Sequence, residues 1–190
     1  VGTTAGPDAI TASMRTMSPG SRPHGLATLI ANAAHGGRTR LTCVSHRAPA
    51  RLLPLRAAKA EDAGSAICAL GSYGGGLLGG DHVVLNVLAE RGATLTLGTQ
   101  ASTKVYRTKA DGKPARQDLR ARVEDDALLV YAPDPLVPFA ESSYVGHQRL
   151  ELEPQGSVVA IDWLGAGRAT CGERWDFTSY SSRTEVWLRG

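Results

Sequence analysis

Hydrophobic and polar residues alternate one by one along several stretches of this chain. The clearest stretch is 119–123, where Leu119, Ala121 and Val123 are separated by two arginines. A second such stretch covers 149–153, whereas 83–87 is more apolar and begins an apolar strand. Because successive side chains of a β-strand point to opposite faces of a sheet, a period of two predicts half-buried strands.

Each of these three stretches is followed by a tight turn and then by a second stretch that is almost entirely apolar, the last of which is expected to run from Ser157 to Trp163. The turns contain Gly92, Asp126 and Gly156, which are 34 and 30 residues apart. Short turns of this kind join strand to strand, and a unit this small cannot bury its own apolar face. The pattern therefore predicts a mainly β protein with stacked or helical β-sheet layers, built from strand-turn-strand repeats, with few short helices.

A run of glycines precedes the first of these units. Six of the eleven residues at 71–81 are glycine. Glycine permits a positive φ and a close approach of two backbones, which predicts a tight structural turn. A phosphate-binding loop of the P-loop type would end in Gly-Lys-Ser/Thr, whereas this run ends in Gly80-Asp81. Phosphate binding is therefore the weaker alternative.

Length and composition predict one domain with a leader. The chain has 190 residues, which fits a single domain. Residues 1–24 are rich in Ser, Thr, Ala, Gly and Pro, and we expect a disordered leader there. The β domain is then expected to cover 25–190. The net charge is +3, too small to argue for nucleic acid or a membrane, but residues 1–60 carry eight Lys or Arg and one acid, Asp8.

The cysteines and histidines bear on compartment and metal binding. Cys43, Cys68 and Cys171 are scattered and odd in number, which favours a reducing compartment over a disulfide framework. No apolar run is long enough to span a bilayer, so we expect a cytoplasmic protein. Structural zinc sites use closely spaced ligand pairs, and neither the histidines nor the cysteines form such pairs. No tight metal site is therefore predicted.

Polar or proline-rich segments follow the second strand of each unit, at 99–107, 132–139 and 162–168, and a further segment lies at 172–177. In stacked sheets, equivalent positions of successive units line up along one edge. The residues that this alignment brings together in the prediction are Lys104, Asp134, Asp162, Arg168 and Glu173. The alternative is that they form structural ion pairs and bends.

Four motifs in this order resemble the urease accessory protein D family (UreD, also called UreH). They are Gly-Gly-Gly-Leu-Leu-Gly-Gly-Asp at 74–81, Thr-Gln-Ala-Ser-Thr-Lys-Val-Tyr at 99–106, Pro-Asp-Pro-Leu-Val-Pro-Phe at 133–139, and Asp-Trp-Leu-Gly-Ala-Gly-Arg at 162–168 with Gly-Glu-Arg-Trp at 172–175. The second and third are similar to the eukaryotic branch. Family members continue beyond the region near 182–186, so we expect the β domain to be incomplete at its C-terminus relative to the family. The motif residues are Gly75, Gly76, Gly80, Asp81, Thr103, Lys104, Tyr106, Asp134, Pro135, Arg168, Gly172 and Glu173.

The resemblance implies a function without catalysis. It implies a scaffold that binds the urease apoprotein and the accessory proteins UreF and UreG, the latter a GTPase, and that helps to pass nickel into the urease active site. Nickel would then be in transit, with no cofactor permanently bound. A transient passage is expected at Asp81, Asp162 and Glu173, because weak coordination by carboxylates lets an ion leave.

Two other classes of function remain to be weighed. An enzyme is disfavoured because the chain has no Gly-x-Ser-x-Gly elbow and no local triad. The alternative to a maturation role is a structural or carbohydrate-binding β-solenoid module. The chain has three tryptophans, Trp163, Trp175 and Trp187, which are spread along the sequence and give little indication of a stacking platform for sugars.

Overall fold

A computed structural model describes residues 23–34, 36–56 and 64–189. Residues 1–22 of the predicted leader lie outside the described residues, as does most of the linker between the third and fourth strands. In chain order the strands are β1 (Gly25–Ala33), β2 (Thr39–Arg47), β3 (Ala50–Leu55), β4 (Ala66–Ser72), β5 (Gly76–Leu77), β6 (His82–Ala89), β7 (Thr94–Thr99), β8 (Thr103–Val105), β9 (Ala115–Val123), β10 (Leu128–Ala132), β11 (Leu136–Pro138), β12 (Ser143–Leu152), β13 (Ser157–Ala160) and β14 (Ser179–Leu188).

The predicted mainly β class is confirmed. Strands make up most of the described chain, and a short 3-10 helix covers Ala169–Cys171. In the same described ranges, no helix combines the length and the apolar character needed to cross a membrane.

The strands form three sheets. The six-stranded sheet has the order β14-β12-β9-β6-β1-β2, the five-stranded sheet β13-β10-β7-β4-β3, and the three-stranded sheet β11-β8-β5. From β4 onward the chain visits the five-stranded, the three-stranded and the six-stranded sheet in turn, and then returns to the first. Its fourth passage touches the three-stranded sheet through a single bridge between Leu136 and Leu164.

Equivalent strands of successive passages lie side by side and run parallel. Leu85 of β6 is beside Leu119 of β9, and Leu95 of β7 is beside Leu129 of β10. Each pair is 34 residues apart in the chain. By contrast, β1 pairs with β2 and β3 pairs with β4 in antiparallel fashion. In the parallel strands, inward-facing apolar residues of one strand therefore lie beside inward-facing apolar residues of the next.

One hydrophobic cluster joins the three sheets. Its largest fully buried side chains include Leu85, Leu95, Leu119 and Leu129, which are the alternating apolar residues of neighbouring strands. Full burial of a leucine contributes about 1.5–3 kcal/mol relative to an exposed one. On β9 the positions between Leu119, Ala121 and Val123 carry Arg120 and Arg122, which explains the clear alternation of that stretch.

The glycine run forms tight turns around β5, in agreement with the structural interpretation. Gly74, Gly75 and Gly80 have φ between 74° and 94°, a region that glycine enters without steric cost. The Asp81 carboxylate accepts a hydrogen bond of 2.8 Å from the backbone N–H of Leu78. The acid at the end of the run therefore closes a turn.

One predicted strand is too long. The apolar pattern predicts a strand from Ser157 to Trp163, but β13 ends at Ala160. Beyond it, Ile161 still donates its backbone N–H to the carbonyl of Tyr131, and the chain then leaves the five-stranded sheet. Asp162 is held from the six-stranded sheet instead, by the hydroxyl of Ser182.

Candidate functional site

A polar cavity lies between the three sheets, where β7, β10 and β13 end. Its volume of about 40 Å³ is enough for at least one water molecule. Its lining residues are Thr99, Thr103, Gln117, Leu119, Tyr131, Pro133, Asp134, Leu136, Tyr144, Gly146, His147, Gln148, Asp162 and Trp163. Two of the sequence-predicted acids, Asp134 and Asp162, are therefore brought to one cavity.

The two acids are held in different ways. Asp134 and Thr99 bind each other twice, because the Thr99 hydroxyl donates to the Asp134 carboxylate over 3.0 Å and accepts from the Asp134 N–H over 2.8 Å. Asp162 Oδ2 accepts a hydrogen bond from the Ser182 hydroxyl over 2.9 Å. Asp134 thus fixes the loop between β10 and β11, whereas Asp162 joins the end of β13 to β14.

Tyrosines surround Asp162. Burial, with an added contribution from the negative charge of Asp162, raises the pKa of Tyr131. Burial is also the main cause that raises the pKa of Tyr144 and of Tyr180, and Asp162 contributes to both. The rings of Tyr144 and Tyr180 stack with centroids 5.7 Å apart. All three hydroxyls therefore stay protonated and neutral at physiological pH.

An amide oxygen of the lining has an unmet hydrogen-bonding capacity. Gln148 Oε1 is buried and finds no hydrogen-bond partner within the described part of the chain. A buried acceptor left unpaired costs about 1–3 kcal/mol, so such atoms usually bind water or an ion. The cavity therefore offers carboxylate, amide and hydroxyl oxygens together with the imidazole of His147, and such groups can bind a hydrated cation.

Sequence reasoning missed five polar residues of the lining: Gln117, Tyr131, Tyr144, His147 and Gln148. Two of them left a signal. Gln117 is two residues before the buried Leu119, and Gln148 is two residues before the buried Leu150, so both amides stand in phase with core positions. A polar residue at an inward-facing place in an alternating strand marks a polar interior.

Arg168 and Glu173 form an ion pair away from this group of oxygens. Arg168 Nε donates to Glu173 Oε2 over 3.0 Å, and its second nitrogen contacts the other carboxylate oxygen. Glu173 also accepts from the N–H of Ala140, and the Arg168 guanidinium stands 4.6 Å from the centroid of the Phe139 ring. The hydrogen bond from Arg168 lowers the pKa of Glu173. The pair clamps the segment after β11 to the 168–173 bend.

The remaining motif residues lie in turns and in the three-stranded sheet. Lys104 is exposed on β8, and the Tyr106 hydroxyl donates to the carbonyl of Gly74 over 3.2 Å. Thr103 donates its N–H to the carbonyl of Pro135. Gly172 ends the 3-10 helix with a φ of 85°. These residues therefore position the turns around the cavity, and Thr103 also lines it.

No cluster of three or more His, Cys, Asp or Glu suited to a metal ion occurs in the described ranges. Two of the histidines there are each bound to one carboxylate instead. His82 is 2.8 Å from Asp118, and His147 is 3.0 Å from Glu185. Of these two histidines, His147 lines the cavity.

We expect Arg168→Ala and Glu173→Gln each to lower the melting temperature slightly, and the double variant to lower it no further, because both remove the same pair. The pKa of Glu173 is lowered in the folded protein. The pair therefore contributes fully to stability above pH 4.5, the ordinary pKa of the carboxyl, and this contribution is lost as the pH falls through the lowered pKa. Thermal melts between pH 7 and pH 3 measure this effect, with exposed Arg174→Ala as the control. Additive losses in the double variant would contradict the pairing.

Comparisons with known proteins agree with the motifs. A sequence model described as UreD urease accessory protein matches residues 24–190. A protein named urease accessory protein UreD from Sorangium cellulosum (strain So ce56) is 43% identical over 150 residues. Urease accessory protein D of Arabidopsis thaliana is 39% identical over 157 residues, and an uncharacterized urease accessory protein ureD-like of Schizosaccharomyces pombe is 38% identical over 120 residues.

The matches cover most of this chain but less of its relatives. They span 79%, 80% and 62% of this chain in the order given, and 46%, 52% and 41% of the three relatives. The chain therefore spans about half the length of the curated relatives that it matches.

Proposed function

Because this chain belongs to the UreD family of urease accessory proteins, we propose that it acts in the maturation of urease. It is a scaffold and not a catalyst, and it works in the cytoplasm. It binds the urease apoprotein together with UreF and the GTPase UreG, and it helps to pass nickel into the urease active site. Nickel is cargo in this account and is not a resident cofactor.

The observation that carries the proposal is the polar cavity between the three sheets, which opens to solvent beside Asp162. A cation that moves through a protein needs oxygens in place of its water shell, at sites that bind weakly enough to release it. Asp162 supplies a negative charge there, Gln148 supplies an unpaired amide oxygen, and Tyr131 stays neutral. Such a set suits a divalent ion in transit.

The donor types also favour release over storage. Imidazole and thiolate ligands hold nickel tightly, whereas carboxylates, carbonyls and water suit harder ions and hold nickel less strongly. The imidazole in the lining, that of His147, is already engaged by Glu185 over 3.0 Å. Among the three acids expected along the passage, Asp162 alone lines the cavity, while Asp81 closes a turn and Glu173 pairs with Arg168. We therefore place the proposed passage at Asp162, and Asp81 and Glu173 support the surrounding backbone.

Urease activation in cells that lack their own D protein tests this function. We expect expression of the 190-residue chain to restore urease activity and to raise the nickel content of purified urease above that of the empty vector. Nickel content distinguishes the two ways in which activity could rise: maturation raises the nickel content of urease, whereas mere stabilisation of the urease protein does not. Urease that stays inactive and nickel-free, although the folded chain is present, would contradict the proposal and favour a structural or carbohydrate-binding module.

A further inference from the structure

The first three strands form a part of the molecule without acidic residues. Residues 9–60 contain no Asp or Glu. Within the described ranges, β2 carries exposed arginines at 40 and 47, β3 carries one at 51, and exposed arginines at 38 and 56 flank the two strands. The acids nearest in sequence, Glu61 and Asp62, lie outside the described residues.

The topology places these arginines at one end of the protein. Strand β2 is the outermost strand of the six-stranded sheet, and β3 is the outermost strand of the five-stranded sheet. The two strands follow each other in the chain and contact each other. We call the surface formed by β2, β3 and Tyr73 the basic end.

The arginines of the basic end differ from those in the rest of the chain. Eight arginines after β6 form ion pairs with carboxylates: Arg91, Arg107, Arg116, Arg122, Arg149, Arg168, Arg183 and Arg189. At the basic end, Arg47 donates to the backbone carbonyls of Pro23 and His24. Arg51 lies 5.6 Å from the centroid of the Tyr73 ring. The arginines at 40, 47, 51 and 56 therefore form no ion pair with a described carboxylate.

Apolar side chains are exposed beside these charges. Val44 is 36% exposed, and Leu55 and Tyr73 are each 52% exposed. Arginine and tyrosine are enriched at protein interfaces and among the residues that dominate binding energy. A surface that combines them with aliphatic groups fits a protein better than it fits a phosphate backbone, which is recognised mainly by charge.

We propose that the basic end is a docking surface for an acidic protein surface, one rich in Asp and Glu around an apolar contact. This inference rests on the proposed function for the choice of partner, which is the urease apoprotein or one of the accessory proteins that mature it. Complementary charge would speed the encounter and fix its orientation, and the apolar side chains would supply the buried contact.

The test measures binding of two variants of equal charge. One variant is Arg40→Gln with Arg51→Gln and Arg56→Gln, and it leaves Arg47 to hold its two carbonyls. The matched control is Lys109→Gln with Lys113→Gln and Arg174→Gln, which removes three exposed bases elsewhere. Purified urease apoprotein, UreF and UreG are titrated separately at low and at physiological salt, after circular dichroism has shown both variants to be folded.

We expect the arginine variant to bind its partner at least about tenfold more weakly at low salt and to lose most of the salt dependence, while the control stays within twofold of the parent. Equal losses in both variants, no loss in either, or no binding of the parent chain to any of the three proteins would overturn the inference. So would a stronger arginine-dependent binding to duplex RNA or to vesicles of anionic phospholipid. Urease activation by the arginine variant at the parent level would reject the docking surface and leave the proposed function standing.

Discussion

Replacing Gly76 by valine is expected to lower the free energy of unfolding by at least about 3 kcal/mol. A Cβ atom at this position would lie 2.6 Å from the backbone oxygen of Lys104 and 2.7 Å from the ring of Tyr106. The oxygen belongs to the strand that pairs with β5, so it cannot retreat without breaking the three-stranded sheet. Such a loss is a large fraction of the roughly 5–15 kcal/mol that stabilises a typical domain.

Urea denaturation, monitored by circular dichroism, measures this loss of unfolding free energy. The matched control is Lys104→Val, which puts the same side chain on the paired strand at an exposed position. Gly80→Ala is a second control, because Gly80 has a φ of 89° but no atom within 4 Å of an added Cβ, so it reports backbone strain alone. A Gly76→Val variant as stable as Lys104→Val would show that the close contact does not limit this fold.

Asp162→Asn is expected to reduce urease activation at least about tenfold while the chain remains folded. Asparagine keeps the shape and can still accept the hydrogen bond from Ser182. It removes the negative charge that a divalent cation prefers, at an exposed residue on the rim of the cavity where an arriving ion meets it. The loss should therefore appear in nickel delivery and not in stability.

Asp126→Asn is the matched control for this variant. Asp126 lies in an exposed turn with a φ of 59°, a conformation that asparagine also tolerates. Ser182→Ala adds a second comparison, because it removes the partner of Asp162 and leaves the carboxylate charged. Full activation by a stable Asp162→Asn variant would exclude this carboxylate from the passage.

The sequence predicted the strands that follow simple alternation and missed those that do not. Strand β12 starts at Ser143, yet its pattern is clear only from Leu150 onward. The inward position 146 is a glycine because a Cβ there would lie 2.9 Å from the ring of Tyr144. The Tyr144 ring occupies the space that a side chain at position 146 would need. An alternation of apolar and polar residues does not reveal this compensation. Strand β14 was missed because its exposed residues lack a clean apolar face.

The candidate site could be predicted in part. Alignment of equivalent segments brought Asp134 and Asp162 to one cavity, as the motif spacing suggested. The same reasoning placed Lys104, Arg168 and Glu173 with them, whereas Lys104 faces solvent and the other two pair with each other. Which way a loop side chain points depends on bends such as that at Gly167, with a φ of 104°. Such bends are set by tertiary contacts that the sequence does not display.

The nickel content of urease tests the central claim most directly. Purified urease apoprotein, nickel-loaded UreG and UreF are incubated with GTP and with the parent chain, Asp162→Asn or Asp126→Asn, and urease is then re-isolated for metal analysis. The account predicts that the parent and Asp126→Asn deliver nickel equally, while Asp162→Asn assembles the same complex and leaves urease largely empty. Equal nickel delivery by all three chains, or delivery unchanged when the chain is omitted, would contradict it.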